Sequence, residues 1–398
     1  MKKLMILGAS ILQLPAIEKA KEMGLEVIAV DMNPEAVGFT VEGVKKEVIS
    51  TIDTEAVLLA AREHKIDGIM TLASDMPMRT VAAVAKELEL VGVTEETALA
   101  ATDKGIMRQR LQEFGVPVPA FHKVNTWDEY YQAINKLGVK CIVKPADNSG
   151  SRGVDLLSNL EDSQEIEKAY HYSKSFSRNG TIVVEEYMDG PEVSVETLSL
   201  AGECHVIQIT DKLTTGAPYF VEMGHNQPSL LPKNIQQQIE KVAKMAVKAL
   251  GIQNGPSHTE IKVTSEGPKI VEIGARLGGD NITTHLVPLS TGVDMVEACI
   301  RIALGEIPDL ESKFAKASAV RYFDLSSGLI EKIDGVEEAE QLEGIKQISI
   351  VHGIGENSVE IKSSVDRVGF VIAQAEEPQI AIERCENAMR IIKIDIKQ

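Results

Sequence analysis

The sequence predicts an α/β protein that begins with a parallel β-sheet and continues as mixed strands and helices. Short apolar runs at Leu4–Leu7, Val27–Val30 and Gly68–Thr71 are separated by helical patterns such as Pro15–Met23. Strands that alternate with helices favour βαβ units and therefore a parallel sheet. The chain has 398 residues, more than one ordinary hydrophobic core can use. We therefore expect roughly two to four lobes.

The amino-terminal lobe is predicted to be Rossmann-like. Its first strand leads into the turn Gly8-Ala9-Ser10, and Asp31 follows the second strand, where a dinucleotide-binding fold places a ribose-binding acid. The GxGxxG pattern is absent at this turn, so close approach of a pyrophosphate is poorly supported. We interpret the segment as a structural turn, and a nicotinamide-dependent oxidoreductase remains an alternative.

Composition restricts the class of partner. There are 41 basic and 59 acidic residues, and the formal net charge of −18 repels nucleic acids and anionic lipid surfaces. The four cysteines form no CxxC pair, which disfavours a zinc site or a disulfide framework. No apolar run resembles a signal peptide or approaches the ~20 residues of a membrane span. These features predict a cytoplasmic enzyme with neither nucleic acid nor membrane as a partner.

Further elements follow from periodicity and turn residues. Helices are predicted at Met78–Leu88 and Lys104–Phe114, and Gly115 with nearby prolines suggests a lobe boundary near residue 100. A second group of elements is predicted after Cys141: strands at Ile182–Glu185, Glu192–Leu198, Val206–Ile209 and Ile270–Ile273, and a helix at Asn234–Leu250. The carboxyl-terminal part is predicted to contain a strand at Val368–Ala373 and a helix at Pro378–Ile392, with no chemistry-bearing cluster.

A glycine-bearing loop follows the apolar run that ends at Lys144. The loop Asn148–Gly153 combines glycines with Ser149 and Ser151, so its backbone N–H groups and hydroxyls could hold a polyphosphate beside the lysine charge. The P-loop pattern is missing, and a flexible surface hairpin would use the same residues. About forty residues later four carboxylates surround a bend, which a solvated edge would explain equally well in isolation: Glu185, Glu186, Asp189 and Glu192.

Glu260 and Glu272 lie on two predicted strands joined by the turn residues Ser265–Pro268, which indicates a hairpin. If Val263 pairs with Lys269, the two glutamates face each other, and such a pair is repulsive unless a cation lies between them. Hard oxygen ligands of this kind suit Mg²⁺. A solvent-facing hairpin with screened charges is the alternative. Arg276 follows closely, and it could contact a transferring phosphoryl group.

The ordered set of these segments resembles the ATP-grasp superfamily, and within it the carboxylate-amine ligases called L-amino-acid ligases. The resemblance extends over most of the chain and rests on the following motifs: Thr102-Asp103-Lys104, Val143-Lys144-Pro145, Glu185-Glu186-Tyr187-Met188, Glu192, Glu260 and Glu272-Ile273-Gly274-Ala275-Arg276. One position departs from the pattern, because Gly274 stands where many members have a metal-binding asparagine. The L-amino-acid-ligase subgroup tolerates this change.

The resemblance implies a role for each site residue. It assigns ATP contacts to one set: Lys104, Lys144, Ser149, Gly150, Ser151, Glu185, Glu186, Met188 and Glu192. It assigns Mg²⁺, with Mn²⁺ as an alternative, to Glu260 and Glu272. Lys144 and Arg276 would be catalytic. The substrate would meet another set: Glu222, His225, Arg276, Gly278 and Gly279.

The implied reaction activates a carboxylate, that of an amino acid, as an acyl phosphate and couples it to an amine, with release of ADP and phosphate. The implied architecture is an ATP-grasp fold with a Rossmann-like lobe at 1–100, ATP-grasp subdomains at 101–180 and 181–308, and an α+β domain at 309–398. A homodimer is left open. The alternatives are a glycinamide ribonucleotide synthetase-like ligation, a biotin-dependent carboxylation and a non-catalytic nucleotide-binding protein.

Overall fold

The computed structural model describes residues 1–397, and its amino-terminal lobe is built on a four-stranded parallel sheet of order β3-β2-β1-β4. The predicted parallel arrangement is confirmed. The elements of this lobe and its exit are β1 (Lys3–Leu7), α1 (Leu14–Glu22), β2 (Glu26–Val30), β3 (Lys45–Glu47), α2 (Thr54–His64), β4 (Gly68–Thr71), α3 (Pro77–Glu87), α4 (Glu95–Thr102) and α5 (Lys104–Glu113). Leu4–Leu7 and Val27–Val30 are fully buried, as expected for strands packed on both faces.

The turn after β1 is closed by Asp31. Its carboxylate accepts the N–H of Ala9 at 2.8 Å and the N–H of Asn33 at 2.9 Å. A carboxylate that satisfies two backbone donors has a local structural role. This geometry agrees with the structural turn inferred from the missing glycine pattern.

The second lobe contains a four-stranded sheet of order β5-β8-β6-β7 covered by two helices. Its elements are β5 (Phe121–Val124), α6 (Trp127–Leu137), β6 (Cys141–Pro145), β7 (Asp155–Leu157), α7 (Ser163–Phe176) and β8 (Ile182–Glu186). The side chain of Thr126 caps α6, and Tyr130 and Ile134 on that helix pack into the lobe's core. Antiparallel pairing of β6 with β8 places Ile142 opposite Glu185.

The third part of the chain supplies long antiparallel strands and three helices. They are β9 (Glu192–Leu200), β10 (Glu203–Thr214), β11 (Glu222–Gln227), α8 (Lys233–Leu250), β12 (Gly255–Thr264), β13 (Gly267–Gly274), α9 (Val287–Thr291) and α10 (Met295–Ala303). The predicted helix at Asn234–Leu250 is therefore confirmed as α8. Its apolar face, which includes Ile239 and Val247, packs in the same core as Ile261 and Ile270 of the β12–β13 hairpin.

The carboxyl-terminal elements are β14 (Ala317–Tyr322), β15 (Gly328–Asp334), α11 (Val336–Glu340), β16 (Ile345–Ile350), β17 (Asn357–Ser358), β18 (Gly369–Ala375), α12 (Pro378–Ile391) and β19 (Lys393–Lys397). The predicted strand and helix of this region are confirmed as β18 and α12. Strands β14, β18 and β16 extend the sheet of the third part, whose full order is β13-β12-β9-β10-β11-β14-β18-β16. Because β14 is hydrogen-bonded to β11, the carboxyl-terminal part is fixed directly beside the middle of the chain.

The β12–β13 hairpin differs from its predicted register and still places the two glutamates opposite each other. Val263 pairs with Pro268, not with Lys269, because the turn is tighter than expected and Gly267 already lies in β13. An irregularity between Glu260 and Ile261 then restores the offset, so that Glu260 faces Glu272. A bulge adds one residue to one strand and shifts all later pairs by one.

Among residues 1–397, no helix combines the length and apolarity needed to cross a lipid bilayer. The four cysteines are free thiols, and three of them, Cys141, Cys299 and Cys385, are buried, whereas Cys204 is partly exposed.

Candidate active site

Two lysines neutralise the facing glutamates of the hairpin. Lys104 Nζ lies 2.7 Å from Glu272 Oε1, and Lys212 Nζ lies 2.7 Å from Glu260 Oε1. Opposed carboxylates repel each other across a strand pair, and the lysines remove that repulsion. In the described part of the chain, no three His, Cys, Asp or Glu side chains are grouped to hold a metal. Hard carboxylate oxygens suit Mg²⁺, so the pair fits a metal that brings its remaining oxygen ligands with it.

Lys212 stands at the centre of three carboxylates. Its ammonium group lies 2.7 Å from Glu192, 2.7 Å from Glu260 and 3.4 Å from Glu222, and its side chain is only 3% exposed. Burial lowers the pKa of Lys212, but the three carboxylates outweigh it and the pKa is raised well above its usual value. Lys212 therefore connects three carboxylates with different expected roles: Glu192 at the ribose, Glu260 at the metal and Glu222 at the substrate. This role of Lys212 was not anticipated from the sequence.

Glu185 holds Lys144 in place. The Glu185 carboxylate lies 2.7 Å from Lys144 Nζ and accepts Arg108 Nε–H at 2.6 Å. Burial raises the pKa of Glu185, but Arg108 and Lys144 outweigh it and bring the pKa to about 2. At Lys144, burial dominates and lowers the pKa, with Arg108 and Lys104 lowering it further despite the attraction of Glu185. The Glu185 side chain is thus fully engaged, and Arg108 was not anticipated from the sequence.

The residues expected near adenine and ribose make other contacts. The N–H of Glu186 donates to the Ala120 carbonyl at 2.9 Å, and its carboxylate lies 2.8 Å from Lys269 Nζ. Met188 follows the end of β8. The Glu192 carboxylate is shared between Lys212 and Lys262, the latter at 3.3 Å.

The loop after β6 is anchored at its beginning and open at its tip. Lys104 Nζ donates to the carbonyl of Asn148 at 2.7 Å, which links the loop to the lysine that also meets Glu272. Gly150 and Ser151 have positive φ values of 66° and 56° and are exposed, while Ser149 is half-buried. The loop is therefore attached to the charged cluster through its backbone, and its tip faces solvent.

Arg276 is paired with a residue from the amino-terminal lobe. Arg276 Nε–H donates to Asp75 Oδ1 at 2.7 Å, and its Nη2–H donates to Oδ2 at 3.3 Å. Burial lowers the pKa of Arg276, but Asp75 first, and then Glu272 and Glu260, raise it. The carboxylates of Glu272 and Glu260 thus favour the charged form of Arg276 together with Asp75. Asp75 follows β4 at the carboxyl edge of the parallel sheet, the position where ligands meet such sheets.

Gly274 leaves room for this ion pair. A Cβ atom at Gly274 would lie 3.0 Å from Asp75 Oδ1 and 3.3 Å from Arg276 Nε. An asparagine side chain there would displace the Asp75 carboxylate. The departure from the family pattern at Gly274 is therefore matched by an acid contributed from another lobe.

The expected substrate residues lie along β11 and the loop after β13. Glu222 is close to Lys212, and His225 Nε2 lies 3.4 Å from Asp280 Oδ2. A Cβ atom at Gly278 would lie 2.7 Å from His258 Nδ1, so only glycine fits the observed loop position. Gly279 packs near Ala73.

The buried pair of His258 and Glu196 lies beside Glu260. His258 Nδ1 lies 2.7 Å from Glu196 Oε1, and His258 Nε2 lies 3.6 Å from Glu260 Oε1. Burial lowers the pKa of His258, but Glu196 outweighs it and the pKa rises to about 9. At neutral pH His258 is therefore a cation beside Glu260. Neither residue was identified from the sequence, although alternation along β9 and β12 places both on the same face as Glu260.

Two models of known protein families match parts of this chain. Residues 137–284 match the model of the ATP-grasp domain, and residues 321–397 match the L-amino acid ligase C-terminal domain 2. The first match contains the loop, both glutamates and Arg276. The second contains β15, β18 and Arg367, a residue that was not identified from the sequence.

Three similar proteins cover much of the chain. An L-arginine-specific L-amino acid ligase from Bacillus subtilis is 28% identical over 73% of this chain and 71% of its own length. A formate-dependent phosphoribosylglycinamide formyltransferase from Maridesulfovibrio salexigens is 25% identical over 99% of this chain and 97% of its own length. The crystal structure of an L-amino acid ligase from Bacillus licheniformis is 26% identical, covers 100% of this chain and 99% of its own, and superimposes with a TM-score of 0.86.

The two family matches, the relatives and the fold lead to the same assignment. The ATP-grasp fold expected from the ordered motifs is confirmed, as is the resemblance to the L-amino-acid ligases. The chain contains a match to the ATP-grasp domain and, over most of its length, is similar to carboxylate-amine ligases of the L-amino acid ligase type.

Proposed function

We propose that this protein is an ATP- and Mg²⁺-dependent ligase that activates the carboxylate of an amino acid and couples it to an amine. The observation that carries the proposal is that Lys104 and Lys212 contact the facing pair Glu272 and Glu260, while Asp75 holds Arg276 just beyond the end of β13. The three cations come from distant parts of the chain. Such a concentration of balanced charge suits a triphosphate and its metal.

Nucleotide binding uses the cations that now neutralise carboxylates. Lys104 and Lys144 contact the phosphates, and the loop with Ser149, Gly150 and Ser151 closes over them. The backbone of Glu186 and Met188 meets the adenine edge, Glu185 positions Lys144, and Glu192 accepts from the ribose. Glu260 and Glu272 would hold Mg²⁺, or Mn²⁺ in its place, which would supply positive charge to the phosphates when bound.

The reaction has two bond-forming steps. A carboxylate oxygen attacks the γ-phosphorus, an O–P bond forms, and the bond to the bridging oxygen breaks as ADP leaves. The amine nitrogen then attacks the acyl carbon, a C–N bond forms, the C–O bond breaks with loss of phosphate, and the nitrogen releases a proton. Arg276 balances charge on the transferring phosphoryl oxygens, and the closed loop protects the acyl phosphate from water.

The substrate lies between β11 and the loop after β13. Glu222 meets the ammonium group of an amino acid, since its side chain is 24% exposed and sits beside the metal ligand Glu260 through their shared partner Lys212. His225 and the backbone of Gly278 and Gly279 line the same region. Arg276 contacts the substrate carboxylate after it has been phosphorylated.

A formate-dependent formyl transfer to a phosphoribosyl amine is the second candidate, because the formyltransferase relative matches along nearly its whole length. A substrate phosphate near the parallel sheet would favour basic side chains there. The segments after the first, second and fourth strands, 8–14, 31–38 and 72–76, contain no lysine or arginine. This favours the amino-acid ligase over the formyltransferase.

An array of amino-acid pairs incubated with ATP and Mg²⁺ tests the proposal. We expect ADP release that depends on particular pairs, and a product whose mass is the sum of the two amino acids less one water. Formate with glycinamide ribonucleotide forms a separate arm of the array. ADP release in that arm alone would establish the second candidate, and nucleotide binding without turnover in any arm would indicate a non-catalytic protein.

A further inference from the structure

The carboxyl-terminal part of the chain contributes an arginine to the substrate region. Arg367 Nη1–H donates to Asp280 Oδ2 at 2.8 Å, and its Nη2–H donates to Asp280 Oδ1 at 2.6 Å. The guanidinium carbon lies 3.7 Å from the centre of the Tyr322 ring. A two-bond arginine–carboxylate pair stacked on an aromatic ring has a well-defined geometry. We call Asp280, Arg367, His225 and Tyr322 the Asp280 cluster.

The cluster adjoins the proposed ammonium site. Arg367 Nη1–H also donates to the backbone carbonyl of Glu222 at 2.9 Å. Asp280 directly follows Gly279, and its other neighbour in the cluster, His225, lies on the same strand as Glu222. Thus the arginine touches both β11 and the loop after β13, the two elements between which the amino acid is proposed to bind.

Access to solvent differs between the two charges of the pair. The Asp280 side chain is 22% exposed, whereas the Arg367 side chain is 9% exposed. The carboxylate is therefore the group that a ligand can approach, and the arginine lies behind it. Asp280 also has a positive φ of 53°, and Tyr322 holds this backbone by donating its hydroxyl to the Asp280 carbonyl at 3.2 Å.

The net charge of the proposed substrate region depends on Arg367. Glu222 and Asp280 together would present two negative charges to a bound amino acid, and one of them is matched by the substrate ammonium group. The other would attract a cationic substrate side chain if it were not neutralised. Arg367 removes that attraction, and it does so from a part of the chain outside the ATP-grasp domain match.

We propose that Arg367 determines specificity: by neutralising Asp280, it makes the proposed substrate region beside Glu222 select amino acids with uncharged side chains over cationic ones. This inference rests on the proposed amino-acid ligase function. If Arg367 had only a structural role, its replacement would weaken the binding of all amino acids equally.

The test compares L-norleucine with L-lysine, which differ by a terminal ammonium group on a side chain of the same carbon length. Binding is measured by calorimetry in the presence of a non-hydrolysable ATP analogue and Mg²⁺, so this arm does not require turnover. The variants are Arg367→Gln and the double variant Arg367→Gln/Asp280→Asn. Arg390→Gln is the matched control, because Arg390 is an exposed residue of α12 that pairs with Glu386.

We expect the wild type and the control to prefer norleucine, and Arg367→Gln to shift the affinity ratio at least about tenfold towards lysine. The double variant should lose that shift. An unchanged ratio in folded Arg367→Gln, or a shift that persists in the double variant, would overturn the inference. If Arg367→Gln does not fold, Asp280→Asn replaces it and should raise the affinity for L-glutamate relative to norleucine about tenfold; no rise would also overturn it.

Turnover separates this inference from the function on which it rests. ADP release with amino-acid pairs but no shift in the ratio would refute the specificity role alone. A shifted binding ratio without ADP release in any variant would refute the ligase and leave Arg367 as a determinant of binding. Failure of every form to bind either amino acid would refute the specificity role, and it would refute both proposals if no pair in the array released ADP.

Discussion

Single side chains at this site are each satisfied by a partner of opposite charge. Glu272 has Lys104, Glu260 has Lys212, Arg276 has Asp75, and these pairs are half-buried or buried. Under the proposed function, each pair would open at least in part when a charged nucleotide and its metal bind. Removing one partner leaves the charge of the other unpaired. The resulting loss of stability is larger than the stability that the intact pair contributes. The effect of a substitution therefore depends on which charge remains.

Glu272→Ala is expected to abolish ATP turnover, because it removes a metal ligand and leaves Lys104 free to misplace the phosphates. The measurement is ADP release by folded protein in the presence of a productive amino-acid pair. Glu266→Ala is the control, since Glu266 lies in the exposed turn of the same hairpin. ADP release near the wild-type rate in Glu272→Ala would contradict the metal assignment.

Glu222→Ala is expected to raise the KM for the amino acid by about tenfold or more, with a smaller effect on nucleotide affinity. The carboxylate is proposed to pair with the substrate ammonium group, whereas its contact with Lys212 is the longest of that lysine's three. Substrate titrations at saturating ATP give the KM. If that KM is unchanged, Glu222 lies outside the substrate site.

At the scale of elements, buried ion pairs reinforce the packing between neighbouring strands and helices. Glu185 on β8 binds Lys144 on β6 and Arg108 on α5, so one carboxylate fixes three elements around the proposed phosphate site.

The β12–β13 hairpin positions its two glutamates through an irregularity in strand pairing. A bulge compensates for the tight turn, and the facing positions of Glu260 and Glu272 are kept although most of the predicted pairs are shifted.

The Glu185 triad is expected to make stability depend on acidity. The pKa of Glu185 falls from 4.5 to about 2 on folding, so its contribution is complete above pH 4.5 and is lost as the pH falls towards 2. The full linkage is on the order of 3 kcal/mol. Denaturant unfolding between pH 6 and about 2.5 should show this loss in the wild type.

Glu185→Gln is the matched variant for that measurement. It should be less stable than the wild type at pH 6, and the difference between the two should shrink as the pH falls below 4.5. A difference that stays constant over this range would show that the carboxylate charge has no part in the stabilisation. Glu186→Gln, at the neighbouring half-buried position, controls for the loss of one acid from β8.

At the scale of the whole molecule, the site is assembled from parts that are far apart in sequence. Asp75 in the amino-terminal lobe meets Arg276 after β13, and Arg367 from the carboxyl-terminal part meets Asp280. The continuous eight-stranded sheet makes the second contact possible, because β14 lies directly beside β11 and β18 directly beside β14. The first contact joins the amino-terminal lobe to the third part of the chain.

Asp75→Asn is expected to lower kcat by about 10- to 100-fold while the KM for ATP changes little, because the guanidinium of Arg276 loses the charge that orients it. Steady-state kinetics with a productive amino-acid pair gives both constants. Asp128→Asn is the control, as Asp128 is an exposed residue at the start of α6. A kcat equal to that of the wild type would show that Arg276 does not need Asp75 for its orientation.

Secondary structure and the ordered motifs could be predicted because they depend on local patterns. The alternation around β1, β2 and β4, the helix α8 and the existence of the β12–β13 hairpin all follow from apolar spacing and turn residues within short windows. The loop after Lys144 and the position of Arg276 follow from the same local information. The strand register of the hairpin was harder to predict, since a difference of one residue in the length of the turn shifts every pair.

The amino-acid sequence by itself determined the α/β class, the order of the strands and helices, and the residue types from which a metal-nucleotide site can be built, because these depend on periodicity and side-chain chemistry. Tertiary structure alone decided which charges meet: Asp75 with Arg276, Lys212 with three carboxylates, and Arg367 with Asp280. Those contacts join residues that are widely separated along the chain, and long-range pairing depends on how sheets pack, which no short window of sequence contains.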